Sequence, residues 1–187
     1  MTIYRDVLSA VVRCLAAECI DNTAKQAWQK LYQAGDLPAK GGSMLGAREM
    51  LDMDCLVHAR LHSQLPPRLW HALVAKYSTH QARKVDAIGC LVPLVASPAP
   101  QLFRYKTATA WAFPPLKGAD GKRSTDMIVL PASFYDMNTW DPEARPEQTR
   151  RRWRAGIRKA LEGMVGEALV EAQEILQAEG VLVERAA

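Results

Sequence analysis

Apolar residues recur every three or four positions through most of this chain, which is the spacing of one face of an α-helix. The pattern is longest near the C-terminus, where it predicts one long helix, or two coaxial ones, between Pro146 and Gly180. Proline suits the first helical turn because its missing N–H has no partner there, and glycine suits the end of a helix. The apolar stripe of this helix consists of Trp153, Ile157, Ala160, Leu161, Met164, Val165, Ala168, Leu169, Ala172, Ile175 and Leu176.

The same spacing predicts shorter helices upstream, over residues 3–19, 21–35, 47–62, 67–77 and 101–112. Residues 80–100 contain three prolines, and their pattern fits either a short helix or an extended segment. Only Asp126–Leu130 has the pattern of a strand. The predicted fold class is mainly α. We expect an N-terminal helical region over residues 1–64 and a second region over residues 65–187, although the two could form one compact domain.

Composition favours a folded protein without a membrane span. The apolar fraction is 49% and the charged fraction 24%, and no apolar run reaches the roughly 18 residues that a spanning helix needs. Asp6 and Glu18 interrupt the N-terminal apolar pattern, which argues against an export signal. We therefore expect the cysteines, which form no CxxC pair, to be reduced core thiols of a cytoplasmic protein. These are Cys14, Cys19, Cys55 and Cys90.

The charges of the long C-terminal helix are divided into a basic and an acidic half. Its first half carries Arg150, Arg151, Arg152, Arg154, Arg158 and Lys159. Residues 160–184, in contrast, contain six glutamates and neither lysine nor arginine. This order opposes the helix macrodipole, at a cost of about 0.3–1 kcal/mol for each exposed charge. Cations near a helix N-terminus suit phosphate binding, and an ordinary solvated face is the alternative interpretation. The acidic face could be a docking surface for a basic partner.

The residues before this helix complete the layout of a helix-turn-helix DNA-binding unit. Residues 131–138 are predicted to start a short helix that buries Phe134, Tyr135 and Met137. Residues 140–145 then form a turn, longer than that of the tightest motifs, and the basic helix follows.

Helix geometry then selects the candidate contact residues. With Trp153 directed to the core, Gln148, Arg151 and Arg154 are candidate base readers, because glutamine suits adenine and arginine suits guanine. The remaining cations of the basic half are better placed for phosphates. The full predicted DNA-binding set is Gln148, Thr149, Arg150, Arg151, Arg152, Arg154, Arg158 and Lys159.

Other chemistry has weaker support in the sequence. Asp54, His58 and His62 share one helix face and could hold a metal, but no further Cys/His cluster closes a ligand shell, and a polar stripe on an exposed face is the alternative. The segment 41–43, Gly-Gly-Ser, lacks the Lys-Ser/Thr ending of a phosphate-binding loop. No catalytic triad or paired carboxylates have usable spacing, so we predict no catalytic, cofactor or metal site and a protein that is not an enzyme.

Residues 65–78 (LPPRLWHALVAKYS) and 132–161, together with the long helix, resemble the phage Q-type transcription antitermination factors and their prophage-derived bacterial relatives. The resemblance implies sequence-specific binding to double-stranded DNA near a promoter, and loading onto RNA polymerase that still holds its sigma factor. It also implies that terminators downstream are then read through. Some of these factors carry zinc, but no matching cysteine set is present here. A conventional transcription regulator, a terminase small subunit or a non-DNA adaptor remain alternatives, and the oligomeric state on DNA is left open.

Overall fold

The computed structural model describes residues 4–23, 46–115 and 130–182. The α-helices in these ranges are α1 (Val7–Thr23), α2 (Ala47–Gln64), α3 (Pro67–Tyr77), α4 (Gln81–Leu91), α5 (Gln101–Ala112) and α6 (Glu147–Ala178). Short 3-10 helices span Val92–Leu94, Ala132–Tyr135 and Met137–Trp140. The described ranges are thus mainly helical and contain no strand, as the predicted fold class requires.

The predicted long helix is confirmed. It is continuous from Glu147 to Ala178, and Gly180 adopts a left-handed φ of 71° after it. The N–H groups of Val181 and Leu182 then bond back to the carbonyl of Leu176, at 2.9 and 3.2 Å, which closes the helix end. None of the predicted stripe residues is exposed.

Upstream of α6, the observed helices differ from the predicted ones in two places. α1 includes residues 21–23, where a second helix was predicted to begin, and the rest of that helix lies outside the described residues. Residues 80–100 form α4, a 3-10 turn and an irregular segment. The segment 41–43 also lies outside the described ranges, as do residues 126–129 of the predicted strand.

The chain divides into two compact units, and the described residues of unit 1 lie within Met1–Leu65 and Leu169–Ala187 and those of unit 2 within Pro66–Ala168. In unit 1, α1 packs on α2. The buried apolar side chains of this unit include Ala10, Val11, Leu15, Val57, Leu61, Ala172 and Leu176.

A buried carboxylate ties the start of the chain to α2. Asp54 is 4% exposed, and its Oδ1 accepts a 2.7 Å hydrogen bond from the Tyr4 hydroxyl. Arg13 donates to both carboxylate oxygens, from Nη2 at 3.0 Å and from Nε at 3.3 Å. Burial, and then the bond to Asp54, raises the pKa of Tyr4. These bonds satisfy a carboxylate that would otherwise be costly to bury.

This arrangement replaces the exposed polar stripe considered for Asp54, His58 and His62. The carboxylate of Asp54 is engaged by Tyr4 and Arg13, while the two histidine rings stack on each other at 6.1 Å. No group of three metal-ligating side chains occurs in the part of the chain that the structure describes.

Asp54→Ala is expected to lower the free energy of unfolding by about 2 kcal/mol. The substitution leaves the buried Tyr4 hydroxyl without its acceptor and half-exposed Arg13 without its ion pair. Urea unfolding followed by far-UV circular dichroism measures the loss. Asp52→Ala, on an exposed position of the same helix, should stay within about 0.5 kcal/mol of the parent. Equal losses in both variants would show that the Asp54 network contributes nothing beyond helix propensity.

Two of the predicted core cysteines are on the surface. Cys14 is buried, with its Sγ 3.2 Å from the carbonyl oxygen of Val11, but Cys55 and Cys90 are exposed. Buried Val57 and Leu91 lie near these two cysteines in the sequence but on other faces of the helices, which the local pattern did not resolve.

In unit 2, α4 packs against both α3 and α5. The largest fully buried side chains of unit 2 are Leu69, Leu73, Ile88, Leu91, Phe103, Trp140, Ile157 and Leu161. No helix in the described ranges is long and apolar enough to cross a membrane.

Lys84 of α4 is a buried cation whose ammonium group lies against the C-terminal end of α3. Its Nζ donates to the carbonyl oxygens of Lys76 at 3.3 Å and Ser78 at 3.5 Å, and it lies 5.0 Å from the centre of the Phe113 ring. Burial, with a smaller contribution from the charge of Lys76, lowers the pKa of Lys84 to about 8. The carbonyls and the ring therefore compensate only part of the lost hydration.

We expect the stability of the parent relative to Lys84→Met to increase between pH 8 and 10.5. The ordinary lysine pKa is 10.5, so the unfolded chain binds more protons than the folded chain across this window, and the free energy of unfolding rises with pH. The free energy of unfolding of the parent should rise by about 1–3 kcal/mol more than that of Lys84→Met. Urea unfolding of both proteins at pH 7 and pH 10 measures it, with tryptophan fluorescence as the signal. A difference that is the same at both pH values would exclude a lowered pKa.

Candidate nucleic-acid interface

The segment before α6 is built differently from the predicted first helix of a helix-turn-helix. Residues 132–140 form two 3-10 turns rather than an α-helix, so a helix-turn-helix unit is not confirmed. Asp136 separates the turns because its backbone is extended (φ −73°, ψ 105°). Its side chain also caps the second turn by accepting from the N–H of Asn138 at 3.0 Å.

A buried aspartate shapes the predicted turn between this segment and α6. Oδ2 of Asp141 accepts from the N–H of Arg145 at 2.8 Å, and Oδ1 accepts from the N–H of Glu143 at 3.3 Å. Between them, Ala144 adopts a left-handed φ of 48°. The turn leads to Pro146, whose carbonyl accepts the first α6 bond, from the N–H of Thr149 at 2.9 Å.

Aromatic contacts hold the start of α6 against the rest of unit 2. The Phe103 ring of α5 meets Trp153 and Trp140 edge-on, at centroid distances of 5.5 and 5.6 Å. Trp140 is fully buried, and its Nε1 donates to the carbonyl of Phe134 at 2.8 Å. Trp153 is only half-buried, but it faces the core as predicted, and this contact fixes which face of α6 points outward.

Five of the predicted DNA-binding residues are exposed on that outward face. They are Gln148, Arg151, Arg152, Arg158 and Lys159. Arg151 forms a 2.6 Å ion pair with Glu147 one turn earlier, and both side chains are more than half exposed. Arg152, Arg158 and Lys159 have no ion pair within the described ranges. A surface pair of this kind contributes little to stability, so Arg151 can exchange its partner at small cost.

The other three predicted residues are half-buried. Thr149 lies in the first turn of α6. Arg150 donates from Nη1 to Oδ1 of Asn138 at 2.9 Å. The guanidinium of Arg154 lies 5.7 Å from the centre of the Trp140 ring, and burial, followed by the charge of Arg158, lowers the pKa of Arg154. The predicted base reader Arg154 is therefore held on the surface of the protein itself.

The acidic half of α6 is partly paired within the chain. In unit 2, Oε1 of Glu162 accepts from Lys76 Nζ at 2.6 Å and from Trp111 Nε1 at 2.7 Å. Burial alone would raise the pKa of Glu162, but these two hydrogen bonds, together with the charges of Lys76 and Arg158, outweigh it and lower the pKa. Glu167 forms an ion pair with Arg68.

In unit 1, Glu179 similarly lies 3.5 Å from Arg60 and accepts from Gln64 at 3.3 Å. Three of the predicted docking glutamates thus have partners in their own unit. Pairing with nearby helices gives a physical reason for the reversed charge order of α6.

Sequence reasoning missed three groups beside α6. Lys106 Nζ lies 4.4 Å from the centre of the Phe134 ring, and Asn138 holds Arg150. Arg145 lies over Trp153 at 5.2 Å and forms ion pairs with Asp141 and Glu143. The contacts of Lys106 with Phe134, of Asn138 with Arg150 and of Arg145 with Trp153 join different parts of the chain, so helical periodicity carries no signal for them.

No protein-family model, curated protein or solved structure matches this chain. The resemblance to Q-type factors therefore stays a prediction.

Proposed function

We propose that this protein binds double-stranded DNA through the exposed basic face of α6 and acts as a transcription antitermination factor. One observation carries the DNA-binding part: cations outnumber acids on the anchored, outward-facing surface of the first half of α6. Between residues 147 and 159, α6 has six cations and one acid, although the net charge of the chain is only +4. Such a concentration is the electrostatic footprint of a polyanion-binding surface.

The spacing of these cations suits a groove of duplex DNA. Arg151 and Arg158 are seven residues apart, as are Arg152 and Lys159, so each pair spans about 10.5 Å along the helix axis. The major groove is about 12 Å wide and admits an α-helix. With α6 lying in the groove, Arg152, Arg158 and Lys159 can reach phosphates at its edges while Gln148 and Arg151, near the helix start, face base edges. Ala155 lies between the pairs and leaves room for close approach.

In this proposal α6 takes the place of the recognition helix of a helix-turn-helix. The two 3-10 turns and the Asp141 turn take the place of its first helix and turn. The glutamates that pair with Lys76 and Arg68 lie beyond the basic half of α6, on the part of the helix that this proposal keeps off the DNA.

The antitermination role is supported by the resemblance of residues 65–78 and 132–161 to Q-type factors. It implies two partners, a promoter-proximal DNA element and RNA polymerase that holds sigma factor. We propose that the protein loads on the polymerase at this element and suppresses pausing and termination downstream.

The test is transcription in vitro past an intrinsic terminator. The element is first selected from a pool of random duplexes by the purified protein and then placed beside the promoter of the template. Readthrough should rise several-fold with the protein and should stay at the basal level when the element is scrambled. Selective DNA binding without any gain in readthrough would overturn the antitermination role and favour a conventional regulator or a terminase small subunit.

A further inference from the structure

Three cations from two helices converge on the two 3-10 turns before α6. Lys106 of α5 lies over the Phe134 ring, Arg150 is bonded to Asn138, and Arg154 lies over the Trp140 ring. The Phe134 and Trp140 rings are themselves neighbours, with centroids 6.4 Å apart. We call Lys106, Arg150 and Arg154 the turn cluster.

Among the residues that the structure describes, the turn cluster has no carboxylate partner. None of its members forms an ion pair with a described residue, whereas neighbouring Arg145 is paired with two acids. A ring or an amide orients a cation but does not neutralise it, so the three charges remain available to an anion. Burial, and then the charge of Arg158 on the same helix, lowers the pKa of Arg154.

The cluster is continuous with the exposed basic face of α6. Arg150 and Arg154 are one turn apart on the same flank of the helix, and Arg158 follows one turn later. An anion that lies along this flank would therefore meet the held cations and the exposed ones in succession.

From this arrangement we propose that the turn cluster is a pre-oriented clamp for the phosphate backbone of duplex DNA. This inference rests on the proposed DNA binding of α6 and assigns Lys106 and Asn138 to the same surface. The clamp grips the strand that borders the groove occupied by α6, and Arg154 contacts a phosphate rather than a base. Because Asn138 and the rings fix the cations beforehand, less side-chain entropy is lost on binding.

The burial of the Trp140 and Phe134 rings favours binding of duplex DNA over single-stranded nucleic acid. Single-stranded nucleic acid is commonly bound by stacking of bases on exposed aromatic faces. Here Trp140 is fully buried, and the half-buried Phe134 ring is covered by Lys106. The turn cluster therefore offers charge rather than a stacking platform, which suits a backbone whose bases are paired.

The experiment measures the affinity of the full chain for a fluorescein-labelled, mixed-sequence duplex over a range of salt concentrations. Lys106→Gln and Arg150→Gln should each weaken binding about fivefold to tenfold and reduce the slope of log affinity against log salt by about 0.9. Asn138→Ala keeps every charge, so it should weaken binding about twofold to fivefold without changing the slope. Arg68→Gln, which removes a cation paired with Glu167, is the matched control and should change neither value. Far-UV circular dichroism verifies that each variant is folded.

Three outcomes would overturn parts of this scheme separately. If the parent binds the duplex and the Lys106 and Arg150 variants keep its slope, the clamp is wrong while DNA binding by α6 stands. If the single strand of the same sequence binds more tightly than the duplex, the commitment to a duplex is wrong. If the parent binds no duplex, the proposed function fails, and the clamp fails with it.

Discussion

Replacing Arg152 and Lys159 together by glutamine is expected to weaken binding to a mixed-sequence duplex by about 30- to 100-fold near 0.1 M salt. Both side chains are exposed on the outward face of α6 and lack ion pairs in the described ranges, so both are free to contact phosphates. Each lost phosphate contact should reduce the slope of log affinity against log salt by about 0.9, or about 1.8 for the pair. Fluorescence anisotropy at several salt concentrations measures both quantities.

The control for this variant is the double substitution Arg60→Gln with Arg68→Gln. It removes the same number of charges, but these arginines are already paired with Glu179 and Glu167. If the two double variants lose affinity equally, net charge rather than the α6 face governs binding. The DNA-binding proposal would then lose its main support.

Trp140→Ala should lower the free energy of unfolding by about 3–5 kcal/mol, the largest stability effect that we expect from a single substitution. The side chain is fully buried between Phe103 and Phe134 and donates a hydrogen bond to the carbonyl of Phe134. Its removal leaves a large cavity and an unpaired carbonyl, and Arg154 loses the ring beneath it. Urea unfolding followed by far-UV circular dichroism gives the value.

Two control variants test whether the cost of Trp140→Ala comes from lost packing at a buried site. Trp140→Phe keeps most of the ring volume and should cost clearly less, although it lacks the N–H donor. Leu94→Ala removes an apolar side chain that is 52% exposed and should cost no more than about 0.5 kcal/mol. A cost for Trp140→Ala near that of Leu94→Ala would mean that the aromatic cluster does not stabilise this region.

Local patterns in the sequence were sufficient for most of the helices. Apolar spacing and the Pro and Gly signals located α6 within two residues at each end, and they also placed α2, α3 and α5. These features depend on hydrogen bonds and side chains a few positions apart, which a sequence shows directly. The failure over residues 131–138 is also local, because the Asp136 cap competes with helix continuation and apolar spacing does not record it.

The candidate interface was only partly predictable. The sequence by itself determined that the first half of the long helix is basic and that Trp153 turns away from the cations. Only the tertiary structure decided that Arg152 and Lys159 are exposed whereas Arg150 and Arg154 are held on Asn138 and Trp140.

The tertiary structure likewise decided what the acidic residues do. Asp54 bonds to Tyr4 across 50 positions, and Glu162 bonds to Lys76 across 86. In both cases the sequence shows that a helix face carries an acidic residue, but only the fold identifies its hydrogen-bond partner. The physical reason is that secondary structure is fixed by neighbours in the chain, while the partner of a charged side chain is fixed by which helices pack together.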